Sequence, residues 1–308
     1  MAKKNHFLFL GFVSAIVGGG AVLGNYLYNL SSNPKTRFSE EGSNKEDEIM
    51  QGRLWIRDHE RRQDLYIDSL DKLRLHASYI STEKESHKYA ILIHGIHDNN
   101  EEMGVYAKHY YDQGINILTP DLRGHGQSEG TYAGYGYYDR MDIMEWIYWI
   151  IKRDANAKIF LHGVSMGAAT TLMTTGEHLP ANVVAAISDS SFTAALEEFV
   201  YVYKKGKKAI LPSGFMTWLL WLEIRVRAGY DIKLASPIKA VVKSKTPTLF
   251  IHGDEDGFIP PNMCARLFEA AQCEKEYCII LGADHIKGVI VDPSNYWKKI
   301  DNFIKSKI

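Results

Sequence analysis

Hydrophobic and polar positions follow two different rhythms along this chain, and the switches between them mark out its elements. Six short runs, at 89–93, 115–118, 159–161, 183–187, 248–251 and 277–281, are apolar almost without a break. Strands covered on both faces of a parallel sheet read this way. Between them lie stretches with helical spacing: residues 103–113, then 138–153, where Ile143, Trp146, Ile147, Ile150 and Ile151 recur on one face. Strands alternating with helices predict right-handed crossovers and a mostly parallel, doubly wound α/β sheet. Two earlier stretches, 64–67 and 72–79, alternate apolar with polar residues. They predict half-exposed antiparallel edge strands.

The N-terminus has a third pattern. After Lys3 and Lys4, no charged residue occurs until Lys35, and residues 7–24 are almost wholly apolar or small, with Tyr26 and Tyr28 beyond them. About 20 such residues suffice to span a bilayer, and tyrosines suit its interface. Residues 1–30 are therefore expected to be a membrane anchor, with the preceding lysines directing the rest of the chain outside the cytoplasm. A cleaved secretory signal, with small residues at 18–21, is the alternative and leads to a secreted protein. The polar stretch 31–48 reads as a linker, and 49–308 as one catalytic domain.

Composition narrows the field. The chain has 308 residues, 45% of them hydrophobic and 24% charged, enough for one large core, and a net charge of −1 supplies no field for nucleic acid. Its three cysteines, Cys264, Cys273 and Cys278, lack the Cys-x-x-Cys spacing of zinc or redox sites. His94, His97 and Asp98 likewise lack a recognised helical ligand spacing. No metal or cofactor is expected, and nothing indicates an oligomeric state.

The candidate chemistry collects where the strands end. Residues 163–167, Gly-Val-Ser-Met-Gly, follow an apolar run and precede small, helix-compatible residues. That is the strand-to-helix context of a nucleophile elbow, with Ser165 at its tip. Glycines at 163 and 167 avoid clashes on so sharp a turn, and the Met166 N–H begins the following helix, where it can face an oxyanion. A serine hydroxyl needs an imidazole to take its proton and a carboxylate to orient that imidazole. His285 follows the last apolar run and Asp256 the one before, giving the order Ser, Asp, His. Asp189 and Asp254 also stand at strand ends and compete with Asp256 for the acid position. His94, His125, His162 and His252 each adjoin a glycine turn and are expected to orient loops.

In these motifs the chain resembles the α/β-hydrolase superfamily over residues 65–308. They are His94-Gly95-Ile96, the run Asp121-Leu122-Arg123-Gly124-His125-Gly126-Gln127-Ser128, the elbow, residues 252–260 (His-Gly-Asp-Glu-Asp-Gly-Phe-Ile-Pro) and Gly282-Ala283-Asp284-His285. The resemblance implies an α/β-hydrolase fold, Ser165, Asp256 and His285 as catalytic triad, and the backbone N–H groups of Ile96 and Met166 as oxyanion hole. It also implies a helical lid at 192–236, after the sixth strand. The helical stripe Phe215, Trp218, Leu219, Leu222 and Val226 in that lid is expected to pack on the core and wall the site with apolar groups. The expected substrate is a small-molecule carboxylic ester with an apolar acyl or alkyl group. An aminopeptidase-like amide hydrolase is the second reading, and a non-catalytic binding protein of the same fold the third.

Overall fold

A computed structural model describes residues 22–29, 31–34, 46–206 and 211–308. From residue 46 on, the described residues alternate strands and helices: α1 (Glu46–Asp58), β1 (Arg62–Asp68), β2 (Arg74–Ile80), β3 (Lys88–Ile93), α2 (Gly104–Asp112), β4 (Asn116–Pro120), α3 (Asp139–Arg153), β5 (Lys158–Val164), α4 (Met166–Thr175) and β6 (Val183–Asp189). Then come α5 (Ala195–Lys205), α6 (Ser213–Arg227), α7 (Pro237–Val241), β7 (Thr248–Gly253), α8 (Pro261–Ala270), β8 (Lys275–Ile280), α9 (Gly288–Val291) and α10 (Pro293–Lys305). The eight strands form one sheet in the order β1-β2-β4-β3-β5-β6-β7-β8. β1 pairs antiparallel with β2 and β2 with β4, while every other pairing is parallel. This is the α/β-hydrolase fold.

The unbroken apolar runs have a simple cause. Successive residues of a strand face opposite sides of the sheet, so on β3 Ala90 and Leu92 enter one core while Ile91 and Ile93 enter the other. On β5, Phe160 and Val164 join the first core and Ile159 and Leu161 the second. A sheet covered by helices on both sides needs an apolar group at every position.

Two expectations are corrected. Strand β2 is an interior strand, with all its residues after Arg74 buried, whereas β1 is the exposed edge. Its polar positions are buried because distant groups satisfy them: His76 Nδ1 meets Asp121 Oδ2 at 2.7 Å, and Asn100 Nδ2 donates to Ser78 Oγ at 2.7 Å. In the lid, the helix α6 is turned relative to the expected stripe. Met216, Leu219, Leu220 and Ile224 face inward, while Phe215 (42%), Trp218 (52%) and Val226 (73%) are exposed.

The expected anchor, residues 1–30, lies outside the described residues except for 22–29. Among the described residues no helix is long and apolar enough to cross a membrane. Residues 22–29 are helical and lie against the lid: Leu27 and Tyr28 are buried with Met216 and Ile224, and Arg227 Nη1 donates to Asn25 Oδ1 at 2.9 Å. Residues 31–34, the start of the expected linker, pack on the domain, where the Ala133 N–H donates to Ser32 O at 2.8 Å and the Tyr135 hydroxyl to Ser31 O at 2.8 Å.

Candidate active site

The turn between β5 and α4 holds Ser165 at φ 54°, ψ −118°, a conformation outside the helical and strand regions that non-glycine residues normally occupy. Its neighbours make this possible. A Cβ on Gly163 would run into the carbonyl of Gly167, and one on Gly167 into the carbonyl of Ile93. The Ser165 N–H donates to Asp189 O at 2.9 Å, which ties the turn to the end of β6. Ser165 is 5% exposed. Met166 opens α4, so its N–H belongs to the first turn, where a helix has no carbonyl of its own to offer.

The structure brings the three separated side chains together. His285 Nε2 lies 2.9 Å from Ser165 Oγ, and His285 Nδ1 lies 2.7 Å from Asp256 Oδ2. Asp256 sits after β7, and its other oxygen accepts the N–H groups of Phe258 at 2.9 Å and Ile259 at 2.8 Å. Burial works to raise its pKa, but hydrogen bonds from His252 and His285 overcome this and hold the carboxyl well below the ordinary carboxylate range. The loop carrying His285 is fastened by Asp284, whose Oδ1 accepts the His285 N–H at 2.7 Å and the Gly257 N–H at 3.0 Å. The Phe258 ring lies 5.1 Å from the imidazole of His285, centroid to centroid.

Ile96 packs against the apolar cluster that includes Met166. A Cβ on Gly95 would lie 3.5 Å from Ser165 Cβ, so this loop passes directly beside Ser165. Two buried histidines hold it. His94 Nδ1 faces Gly95 O at 2.7 Å, while its Nε2 accepts the Leu122 N–H at 3.0 Å. His125 Nδ1 faces Arg123 O at 3.0 Å, while its Nε2 accepts the His97 N–H at 3.3 Å. Each ring must therefore be neutral with the proton on Nδ1, since one nitrogen donates and the other accepts. Burial lowers both pKa values to about 4, which keeps that state at neutral pH. The loops at 94–97 and 121–125 are thus joined through two imidazoles.

The competing carboxylates have other partners. Asp254 Oδ1 accepts the Gly282 N–H at 2.6 Å. Asp189 Oδ2 accepts the Tyr296 hydroxyl at 2.7 Å and Oδ1 that of Ser190 at 2.9 Å, and burial raises its pKa. His162 differs from the expectation of a loop-orienting residue. It lies within β5, between the hydroxyls of Tyr110 at 2.9 Å and Tyr296 at 3.3 Å.

Sequence reasoning expected His252 to orient a loop, as its bond to Ile259 O shows, but missed its contact with Asp256, and it missed Glu198 altogether. His252 Nε2 lies 3.0 Å from Asp256 Oδ2 and 2.9 Å from Ile259 O. Its signal was its place four residues before Asp256. Glu198, on α5 of the lid, turns inward, and burial together with the charge of Asp256 pushes its carboxyl up to about 8. Nothing in the alternation of that helix separates it from Glu197, which pairs outward with Arg266.

The family model described as serine aminopeptidase, S33, matches residues 84–243, a span that contains Ser165 and the lid and ends before Asp256 and His285. Among curated relatives, the uncharacterized protein YqkD of Bacillus subtilis (strain 168) is 30% identical over 216 residues, 70% of each chain. The α/β hydrolase domain-containing protein WAV2 of Arabidopsis thaliana is 25% identical over 304 residues, 97% of this chain and 94% of that one. Among solved structures, the Pyrococcus furiosus esterase Pf2001 superposes with a TM-score of 0.62 at 20% identity, covering 88% of this chain and 98% of that one. At that identity the likeness is one of fold.

Proposed function

Because this chain belongs to the α/β-hydrolase family described as serine aminopeptidase, S33, we propose that it is a serine hydrolase cleaving carboxylic esters with an apolar acyl or alkyl group, through an acyl-enzyme on Ser165. The observation that carries this reading is the unbroken path Ser165 Oγ, His285 Nε2 at 2.9 Å, His285 Nδ1, Asp256 Oδ2 at 2.7 Å. Ser165 Oγ attacks the carbonyl carbon and its proton passes to His285 Nε2, while the carbonyl oxygen becomes an oxyanion held by the N–H groups of Met166 and Ile96. Collapse breaks the bond to the leaving alcohol, which takes the proton from His285. Water then repeats the sequence on the acyl-enzyme, giving the acid and restoring Ser165. Asp256, held as a carboxylate, keeps the His285 proton on Nδ1 and stabilises the imidazolium.

The apolar character of the substrate is supported by what surrounds the serine. Ile96, next to Gly95 beside Ser165, packs against an apolar cluster that holds Phe192, Met216, Leu219 and Ile259, and Phe258 lies against His285. Burial of hydrocarbon against such groups is worth about 25 cal/mol per Å². The second reading, hydrolysis of an aminoacyl amide by the same residues, is favoured by the description of the family. A panel of p-nitrophenyl esters of rising acyl length, set beside aminoacyl p-nitroanilides, separates the two. In either case Ser165→Ala abolishes fluorophosphonate labelling and lowers turnover by about 10³-fold or more; a folded variant with wild-type turnover refutes the reading. The membrane-anchored placement of the domain, outside the cytoplasm, belongs to the same proposal and rests on residues 7–24.

A further inference from the structure

We propose that His252 is a positioning residue for the catalytic acid, its Nε2–H shared between Asp256 Oδ2 and Ile259 O so that the carboxylate is held with a lone pair on His285 Nδ1. The inference rests on the function proposed above and concerns a residue outside the triad. Asp256 Oδ2 receives two imidazoles, His285 Nδ1 at 2.7 Å and His252 Nε2 at 3.0 Å, and the second of these rings is fully buried. Both neighbours of His252 Nε2 are acceptors, so that nitrogen carries the proton. Its Nδ1 is buried without a hydrogen-bond partner among the described residues, which agrees with a bare lone pair there.

The arrangement does two things. Tying Asp256 to Ile259 O through one ring fixes the loop 256–259 against the end of β7, where the Phe258 and Ile259 N–H groups already hold the other carboxylate oxygen. A second N–H donor also shares the charge of Oδ2 with His285. The other ionisable groups coupled electrostatically to this pair are Asp189 at the end of β6, which acts on both imidazoles, and Glu198 on the lid, which acts on Asp256. Replacing His252 removes the coupling of Asp189 to that ring and leaves its coupling to His285 in place.

The test uses the full chain, p-nitrophenyl butyrate and pH profiles of kcat/KM for wild type, His252→Met, His252→Gln and Ser165→Ala. Methionine fills the space without an N–H donor, and glutamine keeps one. We expect His252→Met to lose about ten- to a hundred-fold in kcat with KM nearly unchanged, and its acid limb to move up by roughly half a pH unit as Asp256 recovers its full charge toward His285. His252→Gln should restore most of the rate and return the limb. A merely structural role lowers the active fraction equally at every pH, so a folded His252→Met variant with an unmoved limb overturns the proposal. Imidazole ¹⁵N resonances of the wild type at pH 8 test it without any variant: a proton on His252 Nε2 supports it, and one on Nδ1 overturns it. If Ser165→Ala retains activity, the proposed function itself fails; if only the His252 results fail, that function stands.

Discussion

Replacing Asp256 by asparagine tests the proton path most severely, because the outcome can be worked out from the donors around it. Four N–H groups converge on the carboxylate: the backbone amides of Phe258 and Ile259 on Oδ1, and the His285 and His252 rings on Oδ2. An amide can accept on one side only. If its NH₂ group faced the two backbone amides, two fixed N–H groups would be left without acceptors, each costing about 1–3 kcal/mol. The oxygen therefore stays on the backbone and the NH₂ turns to the imidazoles, of which His285 can answer by moving its proton. His285 then carries its proton on Nε2, facing Ser165 Oγ, and has no lone pair there with which to act as a base. The expected result is a fall in kcat of about 10³–10⁴-fold with little change in KM, since no group touching the substrate has moved. Steady-state hydrolysis of p-nitrophenyl butyrate and a circular dichroism melt measure both sides of this argument. A folded Asp256→Asn variant within tenfold of wild-type kcat would refute it.

Two further outcomes follow from the lid and the N-terminus. Glu198, pushed up to about 8 from an ordinary value of 4.5, keeps in the folded state a proton that the unfolded chain releases; the stability this provides is complete below about pH 4.5 and is lost as pH rises through about 8. Glu198→Gln should therefore be more stable than wild type at pH 8.5, by an unfolding free energy on the order of a few kcal/mol, and equally stable near pH 4.5; equal stability at both values, read by denaturant unfolding, would contradict the burial argument. If residues 7–24 span a bilayer, the full chain stays in the membrane pellet through an alkaline carbonate wash, whereas release into the supernatant would rule out a spanning segment.

The parts of this molecule that the sequence made legible share a physical cause, and so do the parts it concealed. Residues 89–93 and 159–161 declared themselves because a strand between two helical layers has no polar face to spare. The candidate site followed from this, since Ser165, Asp256 and His285 each come just after such a run and the ends of parallel strands face one edge. β2 was harder because His76 and Ser78 look like solvent-facing positions, and they are buried only through Asp121 and Asn100, 45 and 22 residues away. The α6 stripe failed differently: with apolar residues at 215, 216, 218, 219, 220, 221, 222, 224 and 226, overlapping faces satisfy a helical period, and the neighbouring surface chooses between them. The same holds for chemistry. That Asp256, and not Asp189, faces His285 turns on which carboxylate already has a hydroxyl partner, and Tyr296, which occupies Asp189, lies 107 residues further along the chain. Strand ends can be read locally because alternation is local, whereas protonation states and loop positions are set by contacts between distant segments, as the Nδ1 protons of His94 and His125 illustrate.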